Sequence, residues 1–265
     1  MSTQRSSLIV FSVLLVMALA ACGTQSSGPA AAVQSQSNSA TQSAPTKAAA
    51  AAGNGGCSNA YYPSSQGATW KYANTSPMAP DSTTTRTLAA ISANEFTSDD
   101  TVSGGINVVT TWRCQDGNLT MLETNSGMQD APSGTMVWTT KVASVSGFLI
   151  PAAITSGQTW SEKLALSGIG FIDAQQRATQ QNDTQIVCTA GGNESITVGA
   201  GTFNAIKVTC NYTITTTTSI DGAAANPVTN TIAVTDWYVS KVGSVKTVKT
   251  GDISENIELT SYSIP

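Results

Sequence analysis

Cys57, Cys114, Cys188 and Cys210 are the side chains best suited to covalent or metal chemistry within residues 57–265. An even number of cysteines predicts two disulfides wherever the compartment is oxidising. The alternative is a zinc site, but no two cysteines have Cys-x-x-Cys spacing and the 265-residue chain contains no histidine. We therefore expect disulfides, with no metal and no other cofactor.

Three pairings of these four cysteines are possible. Cys188 and Cys210 flank a compact region with a predicted turn at residues 199–201, and each lies on the apolar face of its predicted strand. We expect these two to be bonded to each other, which leaves Cys57 to join Cys114.

The sequence offers no recognisable catalytic set. The absence of histidine excludes Ser-His-Asp and Cys-His catalysis, and no phosphate-binding glycine loop, Gly-x-Ser-x-Gly or Ser-x-x-Lys motif occurs. Asp99 and Asp100 are the only adjacent carboxylates, and their polar surroundings predict a solvated turn. Asp116 is expected in a turn and Asp236 in a structural role. We expect a protein that is not an enzyme.

Composition also limits the partners. Charged residues make up 11% of the chain and the formal net charge is −4. No basic stripe is present, so a nucleic-acid partner is not expected.

The N-terminal residues indicate export and lipidation. Residues 8–21 are almost wholly apolar, long enough for a signal peptide but short for a membrane span. They end in Leu19-Ala20-Ala21-Cys22, which resembles the lipobox of bacterial lipoproteins. The resemblance implies removal of residues 1–21, acyl chains such as palmitate on Cys22, and an extracytoplasmic protein anchored to the cell membrane or outer membrane. The alternative is an ordinary signal peptide followed by a chance cysteine.

Residues 22–56 have the composition of a tether. They are rich in Ala, Ser and Gln, their only charge is Lys47, and they contain no aromatic residue. Such a segment buries too little apolar surface to offset its chain entropy, so it is expected to be disordered. A coil of this length spans about 30 Å.

Residues 57–265 predict one antiparallel β domain. Ile206, Val208, Cys210, Tyr212 and Ile214 alternate with polar residues, the period of a strand with one solvated face. Ile106, Val108, Trp112 and Cys114 similarly share a face. Residues 115–118, Gln-Asp-Gly-Asn, predict a hairpin turn. Further strands are expected near residues 83–92, 119–124, 135–145, 160–166, 185–189, 229–239 and 257–264. Residues 173–183 lack an apolar stripe, so a polar strand or loop is expected there.

A short internal similarity links two parts of this domain. Gly67-Ala68-Thr69-Trp70 resembles Gly157-Gln158-Thr159-Trp160, and each tetrapeptide predicts a turn leading into a strand. We favour chance or convergent turn chemistry over duplication. The five tryptophans are expected to pack in the core rather than to line a binding site.

Three stretches together resemble a group of uncharacterised bacterial exported proteins and lipoproteins. They are Tyr62-Pro63 with Gly67-x-x-Trp70-x-Tyr72, residues 198–205, and Trp237-Tyr238 with Val242-Gly243-x-Val245-Lys246. The resemblance implies a curved antiparallel sheet, a half-barrel or barrel like that of Lol-type lipoprotein carriers. It transfers no catalytic residue.

These observations favour a membrane-anchored lipoprotein whose β domain binds an apolar ligand or lipid. The alternative is an envelope interaction or adhesion protein that binds a protein or polysaccharide through its Thr-rich outer face. A solvent-facing apolar concavity would favour the first function, and a filled interior the second.

Overall fold

The structure is a computed structural model that describes residues 57, 59–92, 94–128, 136–172 and 175–265. The predicted signal peptide, Cys22 and the tether lie outside these residues. The described part of the chain consists of β-strands and connecting turns, without a helix.

Thirteen strands follow one another along the chain. Their bounds are β1 Thr69–Ser76, β2 Ala79–Ile91, β3 Glu95–Val102, β4 Ile106–Gln115, β5 Asn118–Met128, β6 Met136–Gly147, β7 Thr159–Ile172, β8 Gln175–Val198, β9 Gly201–Ile220, β10 Ala223–Ala224, β11 Val228–Val239, β12 Gly243–Gly251 and β13 Glu255–Ser263.

The strands close into an antiparallel barrel. Chain neighbours pair throughout, β13 returns to pair with β1, and β9 pairs with both β8 and β11. Twelve strands form the closed wall, and the two-residue β10 is attached to the end of β9. Closure leaves few sheet edges unpaired. The predicted all-β, barrel-like fold is confirmed.

Alternation along each strand separates interior from exterior. In β8, every second residue from Ala178 to Ala190 is buried and the residues between them are exposed. The predicted shared faces of β4 and β9 are confirmed, as are the turns at residues 115–118 and 199–201. Residues 175–183 form part of β8, the polar strand that was one of the two expectations.

The prediction of a solvated turn at Asp99 and Asp100 is wrong. Both residues lie within β3, and the Asp100 side chain points into the barrel, where the residue is 7% exposed. Asp100 can occupy this interior position because Arg86, on the neighbouring strand β2, forms an ion pair with it.

One end of the barrel is closed and apolar. Residues 57–68 and 148–158 cross this end. They pack against the nearby ends of the strands to form the main hydrophobic core. The hairpins β1–β2, β3–β4 and β12–β13 lie at the opposite end. All five tryptophans are buried, as predicted.

The barrel consists of two halves of six strands that begin in the same way. Gly67 and Gly157 have φ angles of +78° and +81°, and each precedes the first strand of its half, β1 or β7. In both halves the glycine N–H donates to the carbonyl of a residue at the second strand. The N–H of that same residue donates to the carbonyl of the residue that follows the glycine. These bonds are Gly67–Leu88 and Leu88–Ala68 in one half, and Gly157–Ala190 and Ala190–Gln158 in the other. The structure thus favours duplication over chance.

Candidate functional site

Aromatic side chains fill the closed end of the interior. The Tyr62 ring lies 5.2 Å from the Phe96 ring and 5.6 Å from that of Trp112. The indole N–H of Trp70 donates to the carbonyl of Val242 at 2.7 Å. Because the rings are packed and this buried donor is satisfied, the closed end is a structural core rather than an open binding pocket.

A buried ion pair lies above this core. Arg86 of β2 is directly opposite Asp100 of β3, and its Nε and Nη2 each donate to the carboxylate at 2.7 Å. The guanidinium carbon is 6.0 Å from the centre of the Tyr62 ring and 5.9 Å from that of Tyr72. Burial raises the pKa of both tyrosines, so their hydroxyls stay protonated. The positive charge of Arg86 and the negative charge of Asp100 therefore balance each other.

Two further carboxyl groups point into the interior from other strands. Burial raises the pKa of Glu162 on β7 to about 7 and that of Asp236 on β11 to about 6. Thr247 donates a hydrogen bond to Asp236, whereas Glu162 Oε1 has no partner among the described residues. The pKa of Tyr212 is raised by burial and then by the nearby charges of Asp236 and Glu162.

Carboxyl groups that titrate near neutrality are suited to proton transfer. Here Glu162 is only 1% exposed and Asp236 only 9%, so both carboxyl groups are buried in the barrel. Because both groups are buried, their protonation is coupled to folding stability.

Side chains also fill the interior towards the open end. Gln180 is 1% exposed and Trp138 7%. Asn182 donates to Gln180 at 3.1 Å and accepts from Thr216 at 2.6 Å. A Cβ atom added to Gly168 would lie 3.4 Å from Trp138 and 3.5 Å from Gln180, so these side chains pack closely over the glycine. Packed side chains therefore occupy this part of the interior.

The outward faces of β8, β9 and β11 form a polar surface, which we call the threonine-rich wall. Its side chains are mostly hydroxyls and amides. Asp183 is charged, and Arg177 and Lys207 lie on the same faces at the two ends of the wall. The residues of the wall are Thr179, Gln181, Asp183, Gln185, Val187, Thr189, Thr209, Asn211, Thr213, Thr215, Thr217, Thr229, Thr231, Ala233 and Thr235.

A shallow open groove of about 350 Å³ crosses this wall. Residues 211–213, 231–233, 250 and 251 line it. Asn211, Thr213, Thr231 and Thr250 provide hydrogen-bonding groups, and Ala233 provides apolar surface. The groove therefore offers hydrogen bonds beside a small apolar floor, on the outside of the barrel.

The cysteines form two pairs at disulfide distance, Cys57 with Cys114 and Cys188 with Cys210. These are the two pairs expected from the sequence. The first fixes the start of the domain to the end of β4, and the second joins directly opposite residues of β8 and β9. No group of three or more metal-binding side chains occurs among the described residues.

The inward-facing charged residues were not expected from the sequence. Asp100 shares its parity with Phe96, Ser98 and Val102, so the period-2 pattern of β3 was available as a signal. Glu162 likewise alternates with Trp160 and Leu164 on β7. Neither pattern identifies the partner on another strand.

Comparison with known sequences identifies the family. A family model described as DUF3108-like matches residues 81–264, which run from β2 to the end of β13. This chain belongs to the DUF3108-like family. No curated protein matches it significantly.

Two solved structures are similar to this DUF3108-like chain. One is a candidate lipoprotein from Parabacteroides distasonis ATCC 8503, with 16% identity and a TM-score of 0.46. The other is a candidate exported protein with a YmcC-like fold from Bacteroides fragilis NCTC 9343, with 13% identity and a TM-score of 0.44. Each alignment covers 77% of this chain and 99% of the other. Within the described residues, no helix is long and apolar enough to cross a membrane.

Proposed function

We propose that this DUF3108-like protein is an extracytoplasmic lipoprotein without catalytic activity, held at a membrane by lipid on Cys22. The Leu19-Ala20-Ala21-Cys22 sequence supports the anchor, since small residues precede a cysteine at the end of an apolar run. Two or three acyl chains hold a protein at a membrane much more firmly than one, because each buried methylene contributes about 0.8 kcal/mol.

The filled interior is the observation that favours binding of a partner on the outer surface over binding of an apolar ligand inside the barrel. Gln180, Thr140 and Trp138 face inward and are at most 7% exposed, so an apolar ligand would have to displace packed side chains. A carrier usually offers a preformed apolar cavity. The geometry therefore favours a protein that binds a partner on its outer surface.

The chemistry of the threonine-rich wall favours an uncharged, polyhydroxylated partner, such as an envelope polysaccharide. The wall presents hydroxyl and amide groups that both donate and accept hydrogen bonds. Between Arg177 and Lys207 at its two ends it carries a single charge, Asp183, so it lacks the charge pattern that attracts nucleic acids or strongly acidic polymers. Its groove is open rather than enclosed, which suits an extended chain.

The test measures retention of the mature chain in native gels that contain neutral polysaccharide extracted from the cell envelope. Thr213→Arg would place a bulky charge in the groove, and Thr101→Arg, on the exposed face of β3, is the matched control. We expect the parent and the control to be retarded and Thr213→Arg to migrate freely. Equal mobility of all three with and without polysaccharide would overturn the proposal.

Native mass spectrometry of the same preparations separates this function from a carrier role. A mass equal to that of the polypeptide plus the lipid bonded to Cys22 supports surface binding. An added mass that is lost on organic extraction would show that the barrel opens to hold an apolar ligand, contrary to the filled interior. Retention that needs a second protein, rather than polysaccharide, would replace the proposed partner.

A further inference from the structure

The wall of the barrel is incomplete between β5 and β6. These strands pair only through residues 123–126 and 138–141. Nearer the closed end, residues 120–122 of β5 and residues 142–147 of β6 are not paired with each other. The two segments are hydrogen-bonded again at the closed end, between Leu119 and Ile150. We call this opening the β5–β6 gap. On the side of residues 142–147 that faces away from β7, no described residue acts as a strand partner.

The other half of the barrel has a corresponding gap, and that gap is filled. β12 and β13 pair only through residues 246–249 and 255–258. Beyond these, the end of the β8–β9 hairpin lies against β13, where the N–H of Ala200 donates to the carbonyl of Leu259 at 2.9 Å. The Phe203 and Tyr262 rings are 6.3 Å apart at the same contact. An added strand end therefore completes the wall in this half.

The equivalent hairpin of the first half is too short to do the same. β8 and β9 have 24 and 20 residues, whereas β2 and β3 have 13 and 8. The free edge of β6 therefore lies uncovered, with Ala143, Ser144, Ser146 and Gly147 exposed. Exposed strand edges attract further strands, and small side chains allow close approach.

The N-terminal segment enters the domain at the foot of this gap. Cys57 is bonded to Cys114 at the end of β4. Two residues later, the Asn59 amide donates to the carbonyls of Gly117, at 2.8 Å, and Pro151, at 3.0 Å. Gly117 lies in the turn before β5 and Pro151 follows Ile150, so the chain preceding Cys57 starts beside both margins of the gap.

We propose that residues 48–56 fold back into the β5–β6 gap of their own chain and that residues 48–52 form an added strand there. Nine extended residues reach about 30 Å, and the six-residue edge of β6 is about 20 Å long. Residues 48–52 are all alanine, and residues 53, 55 and 56 are glycines that allow the chain to reverse. The added strand runs antiparallel to β5 and parallel to β6, because the chain descends towards Cys57.

Attachment to the same chain compensates for the low strand propensity of alanine. A segment joined by a few residues has a local concentration of about millimolar, so weak pairing is sufficient. Docking shortens the free tether and fixes the closed end of the barrel relative to the anchor. It thereby sets which surfaces, including the threonine-rich wall, face away from the membrane.

Amide hydrogen exchange in the mature chain, held in detergent micelles, tests this inference. Ala50→Pro removes a backbone donor from the proposed strand, and Ala31→Pro is the matched control in the same tether. We expect those amides of residues 142–147 that face away from β7 to exchange at least tenfold faster in Ala50→Pro than in the parent or in Ala31→Pro. Fast exchange in all three would show that the gap is empty, and slow exchange in all three that something else fills it. Either result overturns the proposal.

Disulfide trapping provides an independent measurement. Ala50→Cys combined with Ser144→Cys should form an intrachain bond under mild oxidation. Ala50→Cys combined with Thr213→Cys, on the exposed threonine-rich wall, should not. Equal yields in the two pairs would indicate random encounters of a free tether and would also overturn the proposal.

Discussion

Arg86 donates two hydrogen bonds to Asp100 across β2 and β3, inside a barrel wall that is otherwise mostly uncharged. Removing one partner of such a pair leaves the other charge partly desolvated. Asp100→Asn should therefore destabilise the protein by about 2 kcal/mol or more, somewhat below a fully buried pair because the Arg86 side chain is 28% exposed. Denaturant unfolding measures the loss.

The double variant Arg86→Met with Asp100→Leu distinguishes charge from packing. Hydrophobic replacement of both partners is often neutral, so it should restore most of the stability lost in Asp100→Asn. A double variant as unstable as the single one would mean that the geometry of the pair, rather than its charge balance, holds β2 against β3.

Glu162 should make folding stability fall as the pH rises. Its pKa is raised from 4.5 to about 7 by burial, so the unfolded chain loses this proton at lower pH than the folded protein does. Stability declines between these two values by about 3 kcal/mol and is constant above them.

Glu162→Gln removes this ionisation while keeping the size of the side chain. The variant should unfold at higher temperature than the parent at pH 8, by several degrees, and the difference should shrink towards pH 4. Asp236 remains in both proteins and cancels in the comparison. A difference that does not vary with pH would show that Glu162 is not protonated in the folded state.

The Cys188–Cys210 bond should stabilise the barrel chiefly by restricting the unfolded chain. Its sequence separation of 22 residues corresponds to about 3 kcal/mol, and the separation of 57 residues for Cys57–Cys114 to about 4 kcal/mol. Paired alanine replacements, compared by urea unfolding, should follow this order. Non-reducing peptide mapping should recover the same two links, and a Cys114–Cys188 peptide would contradict both pairings.

Cys22→Ala should release the protein from the membrane fraction, because Cys22 is the only cysteine before residue 57. The matched control is Ser26→Ala in the tether, which should leave the protein bound. Fractionation followed by immunoblotting measures both. Retention of the Cys22→Ala protein would show that residues 8–21 or a bound partner, rather than lipid, hold it at the membrane.

Period-2 hydrophobicity was sufficient to predict strands where the interior is apolar. In β4 and β9, residues such as Val108, Trp112 and Val208 mark the inner face directly. The pattern fails where inward residues are polar. Asp100 in β3 and Gln180 in β8 are buried because partners on adjacent strands satisfy them, and a single sequence does not reveal those partners.

Local sequence patterns could not predict closure of the barrel, for a different reason. It depends on β1 pairing with β13, whose paired residues Thr69 and Ser263 lie at opposite ends of the domain sequence. Turn chemistry specifies neighbouring strands, but nothing local specifies that the first and last strands meet. The sequence accordingly left open whether the sheet is a half-barrel or a barrel, and it did not anticipate the threonine-rich wall's groove.

The two halves of the barrel should respond alike to loss of their first tryptophan. Trp70 donates to the carbonyl of Val242 at 2.7 Å and Trp160 to that of Leu149 at 3.1 Å. Replacing either with Phe leaves a buried carbonyl unpaired and a smaller ring, a loss of about 2–3 kcal/mol each. The two losses should add in the double variant, because the tryptophans share no partner.

Trp237→Phe is the control for this comparison. Trp237 is also buried in the main hydrophobic core, but its ring lies beside Lys207 and Lys246, and its N–H bonds to the exposed residue Glu194, which water can solvate in its absence. Its loss should be clearly smaller, at about 1 kcal/mol. If Trp160→Phe resembled Trp237→Phe rather than Trp70→Phe, the equivalence of the halves would be limited to backbone geometry, and the closed end would depend on the first half alone.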